Sequence, residues 1–133
     1  MDGTPLRSDE IEALSNLLKT NNSITTLSLT NCQILSSFIV LERALIKNTG
    51  VTNLDLSQNN INEEQISNVI LHNKCIKTLS IRSYKQRDGI EDNLKLSNAL
   101  KVNTNLTELD VRENLCENLL QSLKTNTTLK KIA

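Results

Sequence analysis

Apolar residues recur along the chain in two alternating rhythms. The spacing L-x-x-L-x-L-x-x-N/C appears as Ile24, Leu27, Leu29, Cys32 and again as Val51, Leu54, Leu56, Asn59. It returns as Ile76, Leu79, Ile81, Tyr84 and as Leu106, Leu109, Val111, Asn114, with a truncated fifth unit at Leu129 and Ile132. The first positions of these units lie 27, 25, 30 and 23 residues apart. Within each unit the alternation Leu27/Leu29, Leu54/Leu56, Leu79/Ile81, Leu109/Val111 predicts a short strand of about three to five residues with these side chains turned into a core. Between units the apolar spacing changes to that of a helix, predicting helices over residues 9–20, 37–47, 63–72, 93–102 and 117–125. Ser8 is the expected cap of the first, with Asp9 and Glu10 in its first turn, and Asn62 with Gln65 reads as a capping box for the third.

A second register supports the alignment. Asparagine stands three residues before every unit, at Asn21, Asn48, Asn73, Asn103 and Asn126. Pairs such as Leu17-Leu18, Ala44-Leu45, Val69-Ile70, Ala99-Leu100 and Ser122-Leu123 precede them and read as the inward end of each helix. Each Asn thus falls just beyond a helix, where its short amide is expected to tolerate left-handed backbone and bond nearby peptide groups. Cys32, Asn59 and Asn114 are expected to turn inward after their strands and satisfy peptide groups there, a scaffold role. Because one strand and one helix cannot bury their own apolar faces, the units must stack, with a curved parallel sheet inside and helices outside.

The spacing, the residue types and the intervening helix together resemble the leucine-rich repeat family, over most of the chain. The full helix after each strand is similar to the ribonuclease-inhibitor-type subclass. The third unit departs from the pattern, with Tyr84 in place of Asn or Cys and a length of 30 residues. The resemblance implies an α/β leucine-rich repeat solenoid of four full units and a truncated fifth. Residues 1–133 would form a single domain, with an N-terminal capping helix region over 1–23 and repeats over 24–133. It further implies protein recognition, since such repeats occur in cytosolic innate-immune receptors, actin-end-capping proteins and bacterial effectors. Ran GTPase-activating proteins also resemble this subclass, but no motif carries their functional residues onto Arg82 or Arg112.

Composition narrows the function classes. Fifteen basic against fifteen acidic residues leave no net charge, so no global field favours nucleic acid or an anionic membrane. Aromatic residues make up only 2%, which leaves few rings for stacking on bases or flat cofactors. No stretch approaches the roughly 20 apolar residues of a membrane span. Cys32, Cys75 and Cys116 are widely spaced and form no C-x-x-C pair, so neither a disulfide framework nor a zinc site is expected. The single histidine, His72, sits near a helix end where the dipole favours it, and Glu63-Glu64 fall in a helix's first turn. No nucleotide-binding glycine motif occurs. The expectation is a non-enzymatic protein without cofactor or metal.

Surface is what remains. Strand alternation places three columns on the inner curve: Thr26, Asn53, Thr78, Glu108, Lys131; then Ser28, Asp55, Ser80, Asp110; then Thr30, Ser57, Arg82, Arg112. The N-terminal half is rich in hydroxyls and the C-terminal half is charged. Asp55, Arg82, Glu108, Asp110 and Arg112 are therefore the expected partner-binding residues, joined by Tyr84 and Lys85 from the long third unit, whose segment is expected to protrude as a loop. The expected partner is a protein, with neither nucleic acid nor membrane. The last unit stops in mid-strand at Ile132-Ala133, so a homo-oligomer through that edge, or a longer parent solenoid, is the further expectation. A cytoplasmic location is expected. The alternative is an effector delivered into a host cell without an N-terminal signal, an origin to which the eighteen asparagines, as in an AT-rich genome, also point.

Overall fold

A computed structural model describes residues 2–34, 36–82, 94–113 and 116–133. Helices and strands alternate as α1 (Ser8–Thr20), β1 (Thr26–Ser28), α2 (Phe38–Lys47), β2 (Asn53–Asp55), α3 (Glu63–His72), β3 (Thr78–Ser80), α4 (Leu94–Val102), β4 (Glu108–Asp110), α5 (Glu117–Thr125) and β5 (Lys131–Ile132). The five strands form one parallel sheet in sequence order, as stacking of identical units requires. The expected helices agree with those observed to within one residue at each end. Ser8 is the first helical residue rather than the cap: Arg7 takes the cap position, and its N–H donates to the Glu10 carboxylate at 2.8 Å. The Asn62/Gln65 capping box forms as expected, with Glu64 N–H donating to Asn62 Oδ1 at 2.7 Å.

The core lies between sheet and helices. Leu27, Leu29, Leu54, Leu56, Leu79, Ile81, Leu109 and Val111 enter it from the strands, and Ile11, Leu18, Leu41, Leu45, Ile66, Ile70, Leu96 and Leu100 from the helices. Leu17 is a correction to the expected inward pairs, being 47% exposed. Its counterparts Ala44, Val69, Ala99 and Ser122 are buried, so this helix position faces the preceding helix, and among the described residues no helix precedes α1.

The asparagines bond nearby peptide groups as expected, but without the expected left-handed backbone. Asn21, Asn48, Asn73 and Asn126 all have extended backbone, with φ between -90 and -69°. Their amides also form a ladder across repeats. The Oδ1 of Asn73 accepts from Cys75 N–H and Ile76 N–H at 2.7 and 2.8 Å, while its Nδ2 donates to the Leu45 and Asn48 carbonyls at 2.7 and 3.1 Å. Asn48 repeats this toward Leu18 and Asn21, and Asn126 toward Leu100 and Asn103. One side chain thereby closes its own turn and ties it to the previous one, satisfying buried and partly buried peptide groups. Asn48, Asn73 and Asn103 are buried accordingly. Left-handed backbone occurs after the strands, at Asn31, Gln58 and Glu113, with φ of 55, 58 and 72°.

Cys32 and Asn59 follow those turns and point inward as expected. Asn59 Oδ1 accepts from the N–H groups of Cys32 and Ile34, and its Nδ2 donates to the carbonyls of Leu29, Leu56 and Ser57. Asn114 lies outside the described residues. Gly50 is required by close approach, since a Cβ there would stand 2.5 Å from the Asn22 carbonyl oxygen. At the first strand the N-terminal segment lies against the edge: Gly3 N–H donates to Thr30 O, Leu6 N–H to Cys32 O, and the Asp2 carboxylate accepts from Ser28 Oγ and Thr30 N–H.

Candidate functional site on the concave sheet face

The strand register confirms the column order read from the alternation. Thr26, Asn53, Thr78, Glu108 and Lys131 are paired neighbours across the sheet, as are Ser28, Asp55, Ser80 and Asp110. Between the exposed rows, Leu27, Leu54, Leu79 and Leu109 anchor the strands in the core, which holds the outward side chains on a rigid surface.

The two halves of this face differ. On β1 the hydroxyls of Ser28 and Thr30 are already occupied, because Ser28 Oγ donates to Asp2 at 2.6 Å and contacts Thr30 Oγ1 at 3.3 Å. The Ser28 hydroxyl and the Thr30 N–H, both donating to Asp2, hold its carboxyl below its ordinary range. From β2 onward the face is ionic. Arg82 lies between two aspartates, its Nε 3.5 Å from Asp110 Oδ2 and its Nη2 3.9 Å from Asp55 Oδ2. Arg112 grips Asp110 more closely, with Nη2 at 2.6 Å and Nε at 3.0 Å from the two carboxylate oxygens. That bidentate bond, helped by the Arg112 N–H and the charge of Arg82, pushes the Asp110 carboxyl down against the opposing effect of burial. Lys131 pairs with Glu108 at 3.4 Å on the neighbouring column.

The expected residues Asp55, Arg82, Glu108, Asp110 and Arg112 therefore converge on one patch. Tyr84 and Lys85 lie outside the described residues. Arg82 differs from Arg112 in how it is held: its Nε is closed to solvent and makes no hydrogen bond among the described residues. Its position is set by charge and by Ser57, which accepts the Arg82 N–H at 3.1 Å and contacts Ser80 Oγ at 2.8 Å. His72 stands exposed at the end of α3, away from the strands in the repeat. Among the described residues no group of three or more His, Cys, Asp or Glu side chains is placed to hold a metal, and no helix is long and apolar enough to cross a membrane.

Sequence reasoning passes over Glu42 on α2, which is buried at 5% exposure. Its place in the repeat is taken by Ser15 in α1, Ser67 in α3 and Ser97 in α4, all buried, and by exposed Leu120 in α5. Ser15 and Ser67 turn their hydroxyls onto carbonyls of their own helices. A glutamate in a column of buried serines is the signal that could have found it.

No protein-family model and no curated protein matches this sequence. Solved structures do. The chain is similar to the solved structure of leiomodin-1 actin-binding site 2, with a TM-score of 0.69 and 23% identity over 98% of this chain and 80% of that one. It is likewise similar to the tropomodulin C-terminal domain of Caenorhabditis elegans, with a TM-score of 0.70 and 13% identity over 93% of this chain and 81% of that one. Five parallel strands alternating with five helices thus constitute the leucine-rich-repeat-like α/β fold of these domains.

Proposed function

We propose that this chain is a non-catalytic module that binds a partner protein on its concave sheet face, chiefly over β2 to β4. The observation that carries this reading is the placement of Arg82 between Asp55 and Asp110, in ion pairs of 3.9 and 3.5 Å on a rigid, exposed face. Pairs this loose at the surface contribute little to folding, so they exchange readily for carboxylates of a partner. Arginine suits the task because its planar fork gives several directed bonds at once. The C-terminal half is favoured over β1, whose hydroxyls the Asp2 segment already engages.

Leiomodin-1, which shares the fold, is described as carrying an actin-binding site in this domain, and this makes actin the first partner to test. The full helix in each repeat supports the ribonuclease-inhibitor-type subclass. Cys32, Cys75 and Cys116 stand in separate repeats, as suits a reducing cytoplasm. Purified monomeric and filamentous actin, titrated with the native chain and with Arg82→Glu/Arg112→Glu, provides the first test. Where neither form binds, cross-linked capture from a eukaryotic lysate follows with the same pair of chains. The expected result is binding by the native chain and at least a tenfold loss in the folded double variant; equal binding by both overturns the proposal. Light scattering of the free chain separates partner binding from self-association.

A further inference from the structure

The helical side of the molecule carries a cavity of about 500 Å³ between the N-terminal halves of α2 and α3. Volumes of this order accept small ligands or a single large side chain. Glu42 lines it together with Ile39, Asn60, Asn62, Glu64 and Asn68. One carboxylate oxygen of Glu42 accepts from Asn68 Nδ2 at 3.0 Å, whereas the other is closed to solvent and has no hydrogen-bond partner among the described residues. A buried carboxylate oxygen without a donor is a costly arrangement. The serines at this position in α1 and α3 bond carbonyls of their own helices, Ser97 Oγ in α4 is buried without a partner among the described residues, and none of these repeats places a carboxylate here. Glutamate is therefore not what the scaffold needs here.

Among the described residues the lining includes no lysine, arginine or histidine. Glu64 is engaged by Lys95 at 2.7 Å, Asn62 Oδ1 caps α3 and Gln65 Oε1 accepts from the Asn62 N–H at 3.4 Å, which leaves Glu42, the amides of Asn60 and Asn68 and the Ser36 hydroxyl as the remaining acceptors. One turn before Glu42 on the same helix, Ile39 is 42% exposed and supplies an apolar wall beside these acceptors. An apolar wall leading to a carboxylate and two amides matches a guanidinium on an aliphatic stem better than a compact ammonium, which has fewer donors and holds its water more strongly. We propose that this cavity is a binding site for an arginine-like group, with its guanidinium on Glu42 and its stem along Ile39. The unpartnered oxygen is closed to solvent, so a donor that reaches it after rotation of the carboxylate competes with no water.

Two sources share this chemistry, an arginine side chain of a partner protein and a free guanidino compound. ¹H–¹⁵N spectra of the full chain, titrated with N-acetylarginine methylamide, with agmatine and with the neutral N-acetylcitrulline methylamide, distinguish them. Saturable shifts of the Asn60 and Asn68 side-chain amides are expected with the cations and none with citrulline. Stronger binding of the capped residue points to a protein partner, and stronger binding of agmatine to a free compound. Glu42→Gln is expected to weaken binding at least tenfold; Ile39→Lys, at an exposed position that folding tolerates, is expected to block the cavity with its own ammonium. The proposal is overturned if no cation gives saturable shifts, if citrulline binds equally, or if a folded variant binds as the native chain does.

Discussion

At the helix-to-strand turns the same side chain returns in every repeat, while across the sheet face it changes at nearly every step. Asn48, Asn73, Asn103 and Asn126 each bond backward to the preceding repeat as well as within their own turn. The exposed column of Thr26, Asn53, Thr78, Glu108 and Lys131 shares only its register. The first set is tied to backbone atoms whose positions the fold repeats, so one residue type solves the problem each time. The second faces outward, where the fold demands only that a side chain tolerate water. Stability and recognition are thus carried by different rows of the same repeat, and substitutions separate them.

The largest effect is expected at the ladder. Asn73→Ala removes four hydrogen bonds and strands buried peptide groups, for a loss of ~3 kcal/mol or more in urea unfolding. Gly50→Ala comes next, because its methyl group would meet the Asn22 backbone rather than a movable side chain. About 1–3 kcal/mol is expected there, as for other overpacked sites, and an unchanged denaturation midpoint would remove the close-approach argument. By contrast, Thr78→Ala on the sheet face should stay within about 0.5 kcal/mol, and a cost comparable to that at Asn73 would erase the division between rows.

A smaller effect concerns acid. The Asp110 carboxyl titrates below its ordinary value because of Arg112, so the stability it confers is fully present above the usual carboxylate range. It is lost as pH falls through the depressed value. Asp110→Asn should therefore lower stability at neutral pH and flatten the decline as pH falls below the usual carboxylate range, where the native chain has lost the same contribution. A native-like acid limb in that variant would show that the Asp110–Arg112 bond is not formed in solution.

The rows are not equally legible in the sequence. Strand positions and the first two outward columns follow from apolar spacing alone, because a shift by one residue would turn Leu54 and Leu79 out to solvent, whereas Ser57, expected to project in the third column, is fully buried. The asparagines stand out as a column, yet their place beyond each helix suggests left-handed backbone, which is not their purpose. Their backward partners lie 23 to 33 residues away in the chain, at carbonyls such as Asn103 and Ile70, and no local pattern encodes such contacts. The left-handed positions Asn31, Gln58 and Glu113 carry side chains with no common signature for that geometry. Neighbouring charges on β2 to β4 follow from alternation, but spacing does not say that Arg82 is shared by two aspartates while Arg112 closes on one. Glu42 escapes notice because a lone acidic residue on a helix ordinarily faces water, and only comparison with Ser15, Ser67 and Ser97 shows that this row is buried.

The most direct test of the central claim is capture of a protein partner by three folded chains side by side: the native chain, Arg82→Glu/Arg112→Glu, and a control with Lys101→Glu on the outer helix α4. With thermal unfolding midpoints matched, the account predicts that a partner held by the native chain and by the helix control is lost by the sheet-face variant alone. Retention by the sheet-face variant with loss by the helix control would contradict it and move recognition to the helical side.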